Sequence, residues 1–252
     1  MTTTQPDSMT KDEFCARFKA RMIARAGEPV IIGNAVLYHG DSREIIPTLS
    51  KGTYSSCLTD SPYGDDYSSG WATKSLWSES NIRNDKDTAV RDQVLALIGD
   101  VPTLCFGKWS KEQPTGTRMV LIWDKGGALG MGDLRIPWKP DHEEIYVLGD
   151  PARFVGRRDC GSVIYCPPVQ SMAKNGRQHP NEKPVALLCK LLEKLPAGPV
   201  IDPFMGSGST LVAATRLGRP SIGIESDPVY FERAIKRVQE AQRQDDLFGD
   251  AA

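Results

Sequence analysis

The chain has 252 residues, 40% of them hydrophobic, which suits one α/β domain with a sizeable core better than two. Its 31 basic and 32 acidic residues leave a net charge of −1, so any surface for a polyanion must come from uneven placement rather than overall charge. The first thirty or so residues lack an apolar signal core and no run approaches a membrane span, while Cys15, Cys57, Cys105, Cys160, Cys166 and Cys189 show no C-x-x-C spacing. These features predict a cytoplasmic protein with reduced thiols and no metal site.

Thr10-Lys11-Asp12-Glu13 has the form of a capping box, with Phe14, Phe18 and Met22 four residues apart behind it, so residues 1–28 read as a helical extension. From Val30 to Tyr38 two apolar runs flank Gly33-Asn34, a hairpin turn. The second run leads to Asp41, which either caps a helix through Ile45 and Ile46 or serves a ligand. Ser56 to Thr59 reads as a buried strand ending in Asp60-Ser61-Pro62-Tyr63. A carboxylate, a tight turn and an aromatic in four residues form a platform able to hold a planar ring with an amino group. The carboxylate and a turn carbonyl accept hydrogen bonds from the two amine protons, and Tyr63 stacks on the ring. A polar stretch from Gly64 to about Asp92, with Trp71 and Trp77, is long enough to suggest a lid or binding loop, the tryptophans serving equally as pins to the core.

Val94–Ile98 then reads as a helix, and Thr103–Phe106, Met119–Trp123 and Glu143–Leu148 as strands, the last of the first half. Lys125 to Asp141 is rich in Gly and Pro, and Pro151 to Arg177 carries Arg153, Arg157, Arg158, Lys174 and Arg177 against Asp159 alone. That basic excess predicts salt-dependent phosphate contacts. Pro184 suits a first helical turn, with Leu188, Leu191, Leu192 and Leu195 on one face behind it. A strand from Pro199 to Ile201 then runs into Asp202-Pro203-Phe204-Met205-Gly206-Ser207-Gly208-Ser209-Thr210 and a helix bearing Leu211, Ala214 and Leu217. The two glycines permit close backbone approach to a ligand, yet the spacing is neither the dinucleotide fingerprint nor, without a following Lys, a phosphate loop. The next strand, Ser221–Ile224, ends in Glu225, placed to accept both hydroxyls of a ribose. A ribose without a phosphate loop suggests an adenosyl cofactor. Asp227 caps a last helix with Pro228 at its first position, and residues 243–252 read as a flexible tail.

Asp60-Ser61-Pro62-Tyr63 and Asp202 to Thr210 together resemble motifs IV and I of the S-adenosylmethionine-dependent DNA amino-methyltransferases. His179-Pro180-Asn181-Glu182-Lys183-Pro184 resembles motif X, Gly40-Asp41-Ser42 resembles the motif that meets the cofactor adenine, and the motif order is similar to that of the beta group. The resemblance implies a Rossmann-like fold, a mostly parallel seven-stranded sheet with helices on both faces, spanning residues 29–242 with target-recognition insertions near 125–141 and 151–178. It implies a catalytic group of Asp60, Ser61, Pro62 and Tyr63, with S-adenosylmethionine held by Asp41, Lys183, Pro184, Asp202, Phe204, Gly206, Gly208, Ser209, Thr210 and Glu225. Lys183 and Pro184 would face the methionine end. Duplex DNA would be bound by Arg153, Arg157, Arg158, Lys174 and Arg177, with a homodimer as a further expectation.

Ser61 departs from the more usual proline, a change that a backbone-carbonyl acceptor survives. The leading Asp favours adenine; the exocyclic amine of cytosine is the alternative, its methylases commonly starting with Ser. Ring-carbon methylation is disfavoured because it needs a Cys after a Pro, and Cys166 precedes Pro167. Methylation of RNA or of protein glutamine, and a non-catalytic DNA-binding module, are the readings from other classes. In the tail, Gln244, Leu247 and Phe248 resemble the peptide by which bacterial DNA enzymes dock on the sliding clamp; the same Leu-Phe pair could instead tuck onto this domain or a dimer partner.

Overall fold

The structure is a computed structural model that describes residues 28–62, 88–127, 135–169 and 182–249, the side chains of 245–249 excepted. Nine strands form one sheet: β1 (Val30–Ile32), β2 (Ala35–His39), β3 (Ser56–Thr59), β4 (Thr103–Gly107), β5 (Met119–Asp124), β6 (His142–Leu148), β7 (Val163–Tyr165), β8 (Val200–Asp202) and β9 (Ser221–Glu225). Their order is β1-β2-β9-β8-β3-β4-β6-β5-β7. Strands β2, β9, β8, β3 and β4 are mutually parallel, β6 runs against β4 and β5, and β1 pairs antiparallel with β2. The sheet is thus mostly parallel, as expected, with nine strands instead of seven because the three-residue strands β1 and β7 extend its two edges.

Each central parallel strand reads as a nearly unbroken apolar run because both its faces are covered. Alternate residues point to opposite layers. Leu37, Leu58, Leu104 and Val200 face helices α3 (Val185–Leu192), α4 (Ser209–Arg216) and α5 (Pro228–Gly249). Val36, Cys57, Ile201 and Ile222 face α1 (Ser42–Ile45) and α2 (Ala89–Ile98) on the other side. Leu188, Leu191, Leu192 and Leu195 are buried as their spacing predicts, and Leu187 is buried with them. Pro184 stands one residue earlier than the first turn, at the cap. Asp227 accepts from the amides of Val229 and Tyr230, capping α5 with Pro228 as its first residue. That helix runs to Gly249, through most of the stretch read as a tail, with Gln244 exposed.

The connection β3–α2–β4 leads away from β3 in one direction, while β8–α4–β9 leads away from β8 in the other. Adjacent β8 and β3 therefore form a topological switch point, and the crevice outside their C-terminal ends is where open α/β sheets bind ligands. Asp60 and Asp202 stand at this point. No helix among the described residues is long and apolar enough to cross a membrane.

Candidate active site

Five strand ends converge at this edge of the sheet. Beyond β2, the amide of Gly40 donates to the carbonyl of Glu225 at 2.9 Å, and Ser42 Oγ donates to the carbonyl of Pro203, so three predicted stretches meet. Thr59 Oγ1 donates to Asp202 Oδ1 at 2.8 Å across the switch point. The amide of Phe204 donates to the same oxygen at 3.1 Å. The Asp202 carboxyl is 2% exposed, and burial pushes it up to about 6. Its hydrogen bonds hold the loop to the sheet.

The Gly-rich loop turns at Gly206 and Gly208, both with positive φ. A Cβ on Gly206 would meet nothing within 4 Å, so the loop opens there onto space a ligand can enter, whereas one on Gly208 would press on Ala234 of α5 at 3.1 Å. Gly208 precedes Ser209 and Thr210, which are buried in the first turn of α4. Phe204 packs on the core layer under α1 and α2. Glu225 ends β9 and accepts the amides of Gly206 at 2.9 Å and Asp227 at 2.7 Å, one on each carboxylate oxygen. A carboxylate has about four lone-pair sites, so Glu225 keeps capacity to accept from a ligand hydroxyl beside these amides. Burial pushes its carboxyl up to about 7.

Asp41 fulfils the capping alternative: its Oδ1 accepts the amide of Arg43 at 2.8 Å. The Arg43 guanidinium also closes on it, with Nη2 at 2.5 Å from Oδ2, and holds its carboxyl below the usual range. A ligand amine reaching Asp41 would share it with Arg43.

Asp60, a quarter exposed, follows β3. The Ser61 side chain is buried and turned to Cys105 Sγ at 3.5 Å, which leaves the turn's backbone carbonyls as its outward acceptors. Tyr63 and the stretch from Gly64 to 87 lie outside the described residues, as do Trp71 and Trp77. Lys183, which the resemblance gives to the cofactor, has its Nζ 2.7 Å from Asp60 Oδ2 and 3.0 Å from Glu143 Oε2. Its side chain is 4% exposed, and Nζ lies 5.0 Å from the Phe106 ring centroid. Burial opposes its charge, but Asp60 and Glu143 outweigh that and hold the ammonium above the usual lysine range. Burial likewise opposes the charge of Glu143, where Lys183 and Lys125 prevail and hold the carboxyl low.

Sequence reasoning passed over Glu143 and Arg237. Glu143 lies two residues before Ile145, so strand alternation puts an acid on the same face as a core isoleucine, which is the signal that could have found it. Arg237, on α5, donates to Ser207 O, Ser207 Oγ and Ser209 Oγ through Nη1, and to Glu182 Oε1 at 2.6 Å through Nη2. It ties the Gly-rich loop to the segment that carries Lys183 and Pro184.

Arg153, Arg157 and Arg158 of the basic segment lie away from Asp60. Because β6 runs against β4, its start at His142-Glu143 is at the site edge and its end at Leu148 is at the opposite edge. Arg153 reaches the carbonyl of Ser55, ahead of β3, and the amide of Val155 donates to Lys194, beyond the end of α3. Arg157 and Arg158 are exposed on that far edge, away from Asp60. The 125–141 connection, in contrast, joins β5 to β6 at the site edge, and its Arg135, Ile136, Trp138 and Lys139 are exposed. Lys174 and Arg177 lie outside the described residues.

Residues 108–236, just over half of the chain, match the family model for DNA methylase. The type II methyltransferase M.ScaI of Streptomyces caespitosus is 25% identical, over 83% of this chain and 83% of its own. Among solved structures, the PvuII DNA methyltransferase (cytosine-N4-specific) superposes with a TM-score of 0.62 at 14% identity, over 87% of this chain and 96% of its own. The M1.HpyAVI–SAM complex does so with 0.54 at 21% identity, over 81% and 99%. Both share the fold. With the family match covering Lys183, the Gly-rich loop and Glu225, the chain belongs to the DNA methylase family, the N6/N4 amino-methyltransferases.

Proposed function

We propose that the chain moves a methyl group from S-adenosylmethionine to the exocyclic amine of an adenine flipped out of duplex DNA. The observation that carries this reading is the placement of Asp60 and Glu225 on one edge of a parallel sheet, either side of its switch point, with the open Gly206 turn on the Glu225 side. The residues fit an adenosyl cofactor: Glu225 for the ribose hydroxyls, the 206–210 loop for close approach, Phe204 and Pro184 as apolar walls. Asp41 takes the adenine amine, shared with Arg43. Asp202 acts by holding the loop. When bound, the cofactor supplies an electrophilic methyl on a sulfonium; M1.HpyAVI, which shares the fold, is a SAM complex.

The aromatic amine is a poor nucleophile because its lone pair is delocalised into the ring. Asp60 and a carbonyl of Ser61-Pro62 accept hydrogen bonds from its two N–H groups and turn the nitrogen towards tetrahedral geometry, freeing the lone pair for in-line attack; as the N–C bond forms the C–S bond breaks to leave a neutral thioether, and the surplus amine proton is lost to solvent. Flipping costs about a few kcal/mol, and stacking on Tyr63 returns roughly 1–3 kcal/mol. The remainder comes from backbone contacts, for which Arg135 and Lys139 on the 125–141 connection are placed at the site edge, with Lys174 and Arg177 between β7 and α3 as further candidates.

The same platform fits the amine of cytosine, and the acid at its head favours adenine. Incubating the protein with tritiated S-adenosylmethionine and duplex DNA, with RNA and protein extract as rival acceptors, tests the reading. Label in DNA is expected. Label only in RNA or protein would overturn it, and label in none would make this a binding module.

A further inference from the structure

We propose that Glu143 and Lys183 are positioning residues that fix the rotation of the Asp60 carboxylate. The inference rests on the reading of Asp60 as the acceptor for the target amine, and deepens it. Lys183 Nζ donates to Asp60 Oδ2 at 2.7 Å and lies 3.0 Å from Glu143 Oε2, while Lys125 Nζ takes Glu143 Oε1 at 2.6 Å. The four groups form a chain of alternating charge, Lys125–Glu143–Lys183–Asp60, running from the end of β5 through the start of β6 to the end of β3.

A buried ion pair such as Lys183 with Asp60 and Glu143 is a weak contributor to fold stability, since apolar replacements of buried ion pairs are often neutral or stabilising. The chain of charges makes sense as orientation. A carboxylate with both oxygens equivalent can turn and offer either one. With Oδ2 held by Lys183, the plane of the carboxylate is set before an amine arrives. Glu143 supplies the second anchor that keeps the ammonium in place. This also draws Lys183 away from the cofactor's methionine end, where the sequence resemblance put it.

The test uses the full chain with Lys183→Met, Lys183→Arg, Glu143→Gln and the Lys183→Met/Glu143→Gln double variant. Turnover on duplex DNA, the dissociation constant for S-adenosylmethionine and the melting temperature are measured for each. Lys183→Met is expected to lower kcat about 100-fold, the scale of a misplaced reacting group. Cofactor affinity should stay within about threefold. Lys183→Arg should recover part of kcat, and Glu143→Gln should lower it by about tenfold. Because both residues act through one contact, the double variant should be no slower than Lys183→Met alone. A merely structural pair would instead lower the melting temperature without this split. Should Lys183→Met fail to fold, Glu143→Gln and Lys183→Arg carry the same test. Unchanged kcat in those variants, or lost cofactor affinity with kcat intact, overturns the proposal. A wild-type protein that transfers no methyl to DNA refutes the reading beneath it, which the variants' behaviour does not.

Discussion

Burial holds the Glu225 carboxyl near pH 7, so its ability to accept two ribose hydroxyls should switch on across neutrality. The ionised group can accept at both oxygens beyond the amides of Gly206 and Asp227; the protonated group has one oxygen turned donor. With a midpoint at about 7, the ionised fraction rises from roughly one tenth at pH 6 to roughly nine tenths at pH 8, so affinity should tighten about tenfold over that span. Adenosine is the ligand of choice, because it carries the ribose and has no group of its own titrating there. Asp227 and Tyr230 lie nearby, the phenol pushed up by burial, and Asp41 is held low by Arg43. Calorimetric titration of adenosine at pH 6, 7 and 8 should show the tightening in the wild type and its loss in Glu225→Gln, which should also bind more weakly at pH 8 by about 1.5–3 kcal/mol, the worth of a hydrogen bond to a charged group. A pH dependence that persists in Glu225→Gln would refute the role given to Glu225.

Asp60→Ala should abolish methyl transfer while S-adenosylmethionine affinity stays within a few-fold; lost affinity with activity intact, seen by titration, would reverse the assignment. The salt slope of DNA binding should survive Arg157→Gln with Arg158→Gln, which lie on the far edge, and flatten by about two with Arg135→Gln and Lys139→Gln. Filter binding across a salt series decides between the two edges. Asp202 gives a pH dependence of stability. Its carboxyl is raised from 3.8 to about 6, so the folded protein keeps a proton that the unfolded chain releases between those values, and stability present below pH ~4 is lost as pH rises through 6. At about 1.4 kcal/mol per unit that is about 3 kcal/mol. Urea unfolding from pH 4 to 7 should show the fall in the wild type relative to Asp202→Asn, and parallel curves would refute it.

The parallel core was legible because strands covered on both faces become apolar runs, and because an acid stands at or just after the end of β3, β8 and β9, where the cover stops. Strand direction was not. Nothing in His142–Leu148 says that it runs against its neighbours, and that reversal sends Arg153, Arg157 and Arg158 to the edge away from Asp60. β7 was missed because three residues, with Val163 and Tyr165 exposed, leave no periodic signal. For Asp41 the sequence allowed cap or ligand, and the cap is formed, since an Asx side chain reaches its own helix more readily than anything distant. Lys183 was found as a motif residue but not its partners, which lie 123 and 40 positions away in the chain and meet it only through the sheet.

The most direct test of the central claim is the chemistry of the product. DNA from cells expressing the wild-type chain or Asp60→Ala, digested to nucleosides and resolved by mass spectrometry against standards, should contain N6-methyldeoxyadenosine in the first case and none above background in the second. N4-methyldeoxycytidine in its place, or equal methylation with Asp60→Ala, would contradict the account.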